Sequence, residues 1–198
     1  MKKQSTFKMV LVALYVAIIF VLNSTPLGYI PTPYGFTITT VFLPVIFAAI
    51  TLGPTFGGIL GFTFGMTSFL QCFGIGAVVD PMAANLFAES PYLYAVMCFV
   101  PRIIMGIGVG LIFNGLKKID KTKFLSYAVA SVSAVILNTV LFLTAFNLFF
   151  SGTAFSGATV KAILSAVIAL NGIVEMAVAL VVGTGVSKAL VTAIKKLK

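Results

Sequence analysis

The chain has 198 residues, of which 60% are hydrophobic and only 9% are charged, and its mean hydropathy is +1.16. A sequence this apolar, without a long polar block, excludes a soluble globular domain and predicts one all-α integral membrane domain over residues 1–198. The net charge of +9 does not indicate nucleic-acid binding, because the lysines form short clusters beside apolar runs, as cytoplasmic membrane anchors do.

The first apolar run follows Lys2, Lys3 and Lys8 and predicts a retained helix over about 8–25, because no small-residue cleavage site follows it. The segment 26–35 is rich in proline and glycine and uncharged, so we expect a stiff loop. That loop either packs over a cavity as a lid or is a plain connector with interfacial tyrosines. Five further helices and two further loops are predicted: helices 36–52, 54–73, 92–116, 124–150 and 159–187, and loops 74–91 and 151–158.

Glycine recurs at every fourth position in the third predicted helix, as Gly57, Gly61 and Gly65. This spacing places the glycines on one helix face, where a neighbouring backbone can approach closely. We interpret the pattern as a structural helix contact.

Basic residues cluster before the first predicted helix, between the fourth and fifth, and after the sixth. With six membrane spans, all three clusters lie on the same side. The positive-inside rule assigns that side to the cytoplasm, so the sequence predicts a six-helix bundle with cytoplasmic N- and C-termini. The loops 26–35, 74–91 and 151–158 are then external.

Arg102 lies inside an otherwise apolar run, where a charged side chain is costly and normally faces the protein interior or an aqueous cavity. Arg102, Asn138, Glu175 and Asn23 each lie about 13–15 residues from a basic residue at the cytoplasmic side. At a rise of about 1.5 Å per residue, all four sit roughly 20 Å from that boundary. Four polar side chains at one depth predict the floor of a pocket that opens to the outside.

The sixth predicted helix carries Lys161, Asn171 and Glu175 on one face. Lysine near the mouth of the pocket would suit an anionic solute, although Lys161 could equally snorkel to the interface. Arg102 and Glu175 either contact solute or form a buried pair that fixes helix packing. The remaining candidate binding residues lie in external loops: Tyr29, Tyr34 and Asn85.

No catalytic constellation is visible. The chain has no histidine, and Glu175 is its one acidic residue at membrane depth. Cys72 and Cys98 both lie in apolar surroundings, so a disulfide framework is not indicated. We expect no enzymatic activity, no metal site and no cofactor in this chain. The sequence also shows no internal repeat of the kind that secondary carriers use.

These features together resemble the substrate-capturing S components of energy-coupling factor (ECF) vitamin transporters. The resemblance covers nearly the whole chain and includes the six predicted spans. It rests on residues 13–17, 25–31, 52–54, 57–58, 64–65, Ser68 and 101–103. Within the family, the Pro-Leu-Gly-Tyr-Ile segment and Pro101-Arg102 look most similar to the pantothenate-type branch.

The resemblance implies a vitamin captured outside a prokaryotic plasma membrane. It also implies a transmembrane coupling protein (T component) and two cytosolic ABC ATPases, which would bind ATP and Mg²⁺ and drive release as this chain topples in the membrane. Ala13 and Ala17 match the family's contact with the coupling protein, since small residues allow close helix packing. Riboflavin, a pyridoxine-like compound and a cobalamin-type compound are alternative substrates. An autonomous small-solute carrier and a membrane assembly protein are alternative functions.

Overall fold

The computed structural model describes residues 2–31, 37–77, 81–120, 124–150 and 171–196. Its helices are α1 (Lys2–Asn23), α2 (Phe42–Leu52), α3 (Pro54–Leu70), α4 (Pro81–Glu89), α5 (Pro91–Leu116), α6 (Leu125–Phe149) and α7 (Asn171–Lys196). A short 3-10 turn, Gln71–Phe73, continues α3, and a π-helical turn, Ala179–Gly183, lies within α7. Two strands, β1 (Tyr29–Pro31) and β2 (Thr37–Thr39), form an antiparallel hairpin.

Five of the described helices are long and apolar enough to cross a membrane. They are α1, α3 with its 3-10 turn, α5, α6 and α7. Helices satisfy their backbone hydrogen bonds internally, which is what an apolar bilayer requires. The protein is therefore a helical membrane protein, and α2, with 11 residues, is too short to belong to this set by length alone.

The structure differs from the predicted helix over 36–52, because β2 occupies the first part of that range and α2 begins at Phe42. The residues before α2 are threonine and isoleucine, whose β-branched side chains favour extended backbone. The predicted loop 26–35 likewise contains a strand, β1. The register pairs Tyr29 with Thr39.

Thr40 closes the base of the hairpin. Thr40 donates its backbone N–H to the carbonyl of Gly28 (2.9 Å) and its hydroxyl to the carbonyl of Leu27 (2.6 Å). A side chain at Gly28 would meet the carbonyl of Leu22 at the end of α1, so only glycine fits this turn. These contacts place the hairpin, which we call the β1–β2 hairpin, directly over the end of α1.

The predicted external loop 74–91 contains a nine-residue helix, α4. Proline at its first position suits a helix start, since its missing N–H would have no partner there. Ala83 and Leu86 are buried in a cluster with Tyr94, Met97 and other residues of α5 and α6. Tertiary packing therefore stabilises this short helix.

Helices α3 and α5 approach each other backbone to backbone. A Cβ atom added at Gly57 would meet the carbonyl of Gly106, one at Gly61 would meet the carbonyl of Arg102, and one at Gly65 would lie 2.9 Å from the carbonyl oxygen of Cys98. We call this contact the glycine seam, and it confirms the interpretation of the glycine spacing. Because Gly61 contacts the backbone of Arg102, the glycine seam also fixes the backbone position of that arginine.

We expect Gly61→Ala to lower the melting temperature of the protein in detergent. Alanine favours a helix by up to about 1 kcal/mol over glycine, but overpacking at a closed contact costs about 1–3 kcal/mol or more. Gly115→Ala is the matched control, since Gly115 also lies in α5 and a Cβ there meets no atom within 4 Å. Equal melting temperatures for the two variants would contradict the close contact at the seam.

Candidate functional site

Arg102 is buried, with 9% of its surface exposed, in the middle of α5. Its guanidinium lies over two phenyl rings, 5.5 Å from the centroid of Phe64 in α3 and 5.2 Å from that of Phe142 in α6. Cation–π contacts on both rings hold the planar group in one orientation. Three helices thus determine the position of this one charge.

Pro101 explains one of the hydrogen bonds of the arginine. Proline has no N–H, so the carbonyl four residues earlier, that of Met97, loses its helical donor. Nη1 of Arg102 donates to this same carbonyl at 2.8 Å. The adjacent proline and arginine therefore act together, since one frees a backbone acceptor and the other satisfies it. The Nε of Arg102 is buried and has no hydrogen-bond partner among the residues described.

Tyr29 of the β1–β2 hairpin reaches into the bundle beside Arg102. Its side chain is 7% exposed, and its hydroxyl lies near Ser68, Thr67 and the charge of Arg102. Burial raises the pKa of Tyr29, so the phenol is neutral at physiological pH. Its hydroxyl forms no hydrogen bond within the described part of the chain. The hairpin thus places a neutral hydroxyl group, which can donate and accept hydrogen bonds, near Arg102.

Glu175 of α7 is 5% exposed. Its Oε1 accepts a hydrogen bond from the backbone N–H of Thr39 at 2.8 Å and one from Nδ2 of Asn171 at 3.4 Å. Arg102 acts on Glu175 through its charge, yet within the described ranges the two side chains form no ion pair. A direct Arg102–Glu175 salt bridge, one of the two roles open from the sequence, is therefore not what the structure shows.

Helices α6 and α7 meet at the depth of two further candidates, Asn138 and Asn171. A Cβ at Gly172 would lie 3.5 Å from Oγ1 of Thr139, so the residues next to both asparagines are in contact. Oδ1 of Asn138 is buried without a partner among the described residues. Both asparagines thus lie on the α6–α7 side of the bundle.

The structure separates the other candidates from this group. Asn23 is buried, but its carbonyl accepts from the N–H of Ala77 at 2.9 Å, so it joins the end of α1 to the segment before α4. Asn85 is exposed, next to the buried Leu86 in α4. No described contact brings either asparagine to Arg102. Tyr34 and Lys161 lie outside the described residues, and their roles stay predictions.

Sequence reasoning missed several residues that surround Arg102: Phe64, Thr67, Met97 and Phe142. The role of Met97 could have been found, because proline at position 101 must free the carbonyl at position 97. The polar pair Thr67 and Ser68 interrupts an apolar helix and was a weaker signal. Phe64 contributed only to the family resemblance, as part of residues 64–65, and Phe142 carried no signal among the 19 phenylalanines of the chain.

Comparison with known proteins adds independent findings. The family model for the substrate-specific component of the ECF transporter matches residues 7–187. A curated relative, the pantothenic acid transporter PanT of Lactococcus lactis subsp. cremoris (strain MG1363), is 28% identical, and the alignment covers 98% of each chain. With five helices long enough to cross a membrane, the protein is a multi-pass plasma-membrane protein of a prokaryote. The chain belongs to the family of substrate-specific components of ECF transporters.

Proposed function

We propose that this protein captures pantothenate from outside the cell. The observation that carries the proposal is the guanidinium of Arg102, held between two phenyl rings with its Nε unused by the described residues. A planar guanidinium is the side chain best suited to bind a carboxylate through two parallel hydrogen bonds. A solute that brings a carboxylate would supply the partner that a buried charge needs.

The side chains around Arg102 suit a solute that carries no charge besides its carboxylate. Tyr29, Thr67 and Ser68 offer hydroxyl groups, and pantothenate carries amide and hydroxyl groups beyond its carboxylate. Riboflavin and pyridoxine have no carboxylate, so they would leave the guanidinium unpaired. The 28% identity to a pantothenic acid transporter points to the same substrate.

The proposed topology has six spans, with both termini in the cytoplasm. If only the five long helices crossed the membrane, the N-terminal lysines would lie on the side opposite the other two lysine clusters. A crossing by α2 places all three clusters on one side. Although short, α2 is lined by buried side chains, among them Phe42, Val45, Ile46 and Ile50. A short helix enclosed by protein does not need the length of a lipid-exposed span. The turn at Gly53, with a φ of 104°, then reverses the chain into α3.

The proposed mechanism includes partners that supply the energy. A coupling protein would bind the outer face of α1, where Ala13 and Ala17 are exposed. Two ATPases would hydrolyse ATP with Mg²⁺ in the cytosol, and the chain would topple against the coupling protein to release the vitamin. We expect the purified complex to contain all three kinds of subunit. Uptake in cells that lack these partners would support the alternative of an autonomous carrier.

A thermal-shift screen of the purified chain against B vitamins tests the substrate. A ligand at 100 times its Kd stabilises the native state by about 2.7 kcal/mol, because it binds the folded protein alone. We expect a large shift with pantothenate, and none with riboflavin or pyridoxine. Biotin and nicotinate serve as controls, since they also carry a carboxylate. A shift with a different vitamin would reassign the substrate, and no shift with any vitamin would contradict the proposal.

A further inference from the structure

The backbone N–H of Thr39 points away from its own hairpin. Thr40 donates to the carbonyl of Gly28, so these residues face each other as a hydrogen-bonded pair through one bond, while the N–H of Gly28 donates to the carbonyl of Thr25. In an antiparallel ladder such pairs alternate with pairs that exchange no hydrogen bond. Tyr29 and Thr39 are the next pair in the register and therefore belong to the second kind. The N–H of Thr39 is thus an unpaired donor on the outer edge of β2.

Glu175 supplies the acceptor for this edge donor. Its Oε1 lies 2.8 Å from the nitrogen of Thr39, and the two residues are 136 positions apart in the chain. The carboxyl group of Glu175 is shielded, since that residue is 5% exposed, and Thr39 is half-buried. A hydrogen bond at such a site contributes about 0.5–1.5 kcal/mol, and leaving its buried donor unpaired costs about 1–3 kcal/mol. It ties the edge of the hairpin to helix α7.

The same bond acts on Tyr29 through the register of the hairpin. Tyr29 lies directly opposite Thr39, and its hydroxyl lies near Ser68 and Arg102. Holding Thr39 therefore holds the phenol near Ser68 and the charge of Arg102. Without that bond, the hairpin keeps the contacts of Thr40 at its base, but no described hydrogen bond joins β2 to another helix.

We propose that Glu175 is a positioning residue: its carboxylate holds the β1–β2 hairpin, and with it Tyr29, over the solute at Arg102, and it does not bind the solute itself. This inference rests on the proposed function for the identity of the solute. It gives Glu175 a third role, distinct from solute contact and from a salt bridge with Arg102. A loosened hairpin lets the solute enter and leave faster, so the rate constants for association and dissociation both rise.

Three variants separate these roles. Glu175→Ala removes the acceptor. Glu175→Gln removes the charge but keeps an oxygen that can accept from Thr39. Thr39→Pro removes the N–H donor together with the hydroxyl of Thr39, which also acts on Glu175, and leaves Glu175 intact, at an outer-edge position where a strand tolerates proline. The first readout is amide hydrogen exchange of residues 37–41 in the protein without solute. The second is the pair of rate constants for radiolabelled pantothenate.

We expect Glu175→Ala and Thr39→Pro to raise amide exchange at 37–41 about tenfold and to weaken pantothenate binding about tenfold. A tenfold change corresponds to about 1.4 kcal/mol, within the range of about 1–3 kcal/mol for leaving one buried donor without its acceptor. The association and dissociation rate constants should both rise, and the dissociation rate constant should rise more. Glu175→Gln should stay within about threefold of the wild type in both readouts.

Two results would overturn the inference. Weaker binding without faster exchange at 37–41 in Glu175→Ala would mean that the carboxylate contacts the solute. A Glu175→Gln variant that behaves like Glu175→Ala would mean that the charge matters and the bond to Thr39 does not. If Glu175→Ala fails to fold, Thr39→Pro and Glu175→Gln decide the question. The exchange experiment needs no solute, so its outcome is independent of whether pantothenate is the substrate.

Discussion

Replacing Arg102 by methionine is expected to lower the affinity for pantothenate about 100-fold or more. Removing one partner of a buried, hydrogen-bonded charge pair costs about 2–5 kcal/mol, and 2.7 kcal/mol corresponds to a factor of 100. Methionine keeps an apolar side chain of similar length between Phe64 and Phe142, so the helices should still pack. Calorimetric titration of the purified variant with pantothenate measures the loss.

Arg102→Lys is the matched control for the geometry of the guanidinium. Lysine keeps the positive charge but cannot form two parallel hydrogen bonds, so we expect a loss of about tenfold, between the wild type and methionine. The melting temperature without vitamin should fall somewhat in Arg102→Met, because the carbonyl of Met97 loses its donor, so the affinity is compared at a temperature where both variants are folded. Wild-type affinity in Arg102→Met would show that the arginine serves helix packing alone.

Replacing Ala17 by tryptophan is expected to abolish vitamin uptake by cells while leaving the affinity of the purified chain unchanged. Ala13 and Ala17 lie on the exposed face of α1, whereas Tyr15 and Ile19 lie on its buried face. A large ring at the exposed face keeps two helices from close approach without touching the pocket. Uptake of labelled vitamin in cells and calorimetry of the purified chain are the paired measurements.

Val140→Trp on α6 is the control for a bulky ring on an outward-facing helix surface. Val140 is 55% exposed, and we expect uptake to survive its replacement. Unchanged uptake with Ala17→Trp would exclude this part of α1 from the proposed docking face. Loss of solute binding in Ala17→Trp would show that the substitution disturbs the fold.

The sequence predicted the long helices and the glycine seam because both depend on strong local signals. Long apolar runs identify membrane helices, and glycine at every fourth position identifies a close helix contact. The interior position of Arg102 was also predicted, because an isolated charge avoids lipid. The fact that Gly61 contacts the backbone of that same arginine could not be predicted, since it depends on the register between two helices.

The sequence did not reveal the β1–β2 hairpin. Residues 37–41 are all β-branched, with three threonines, one isoleucine and one valine, and a short run of this kind beside an apolar segment fits either a strand or the start of a helix. The hydrogen bond between Glu175 and Thr39 could not be predicted for a related reason. Counting residues along helices gives the depth of a side chain, but it does not show that a backbone N–H from a distant hairpin reaches that depth. The role of Asn85 stays a prediction: the residue is exposed in α4, and loop composition does not show which side of that helix faces inward.

The glycine seam distinguishes the rigid part of the site from the parts that substitutions could change. The backbone of Arg102 is set by contact with Gly61, which involves no side chain that a substitution elsewhere could repack. Tyr29 and Phe142 come from the hairpin and from α6, outside the seam. Redesign of these two elements could therefore redirect the protein to other carboxylate-bearing molecules while the anchoring cation stays in place. The chain would then serve as a scaffold for sensors of small organic acids.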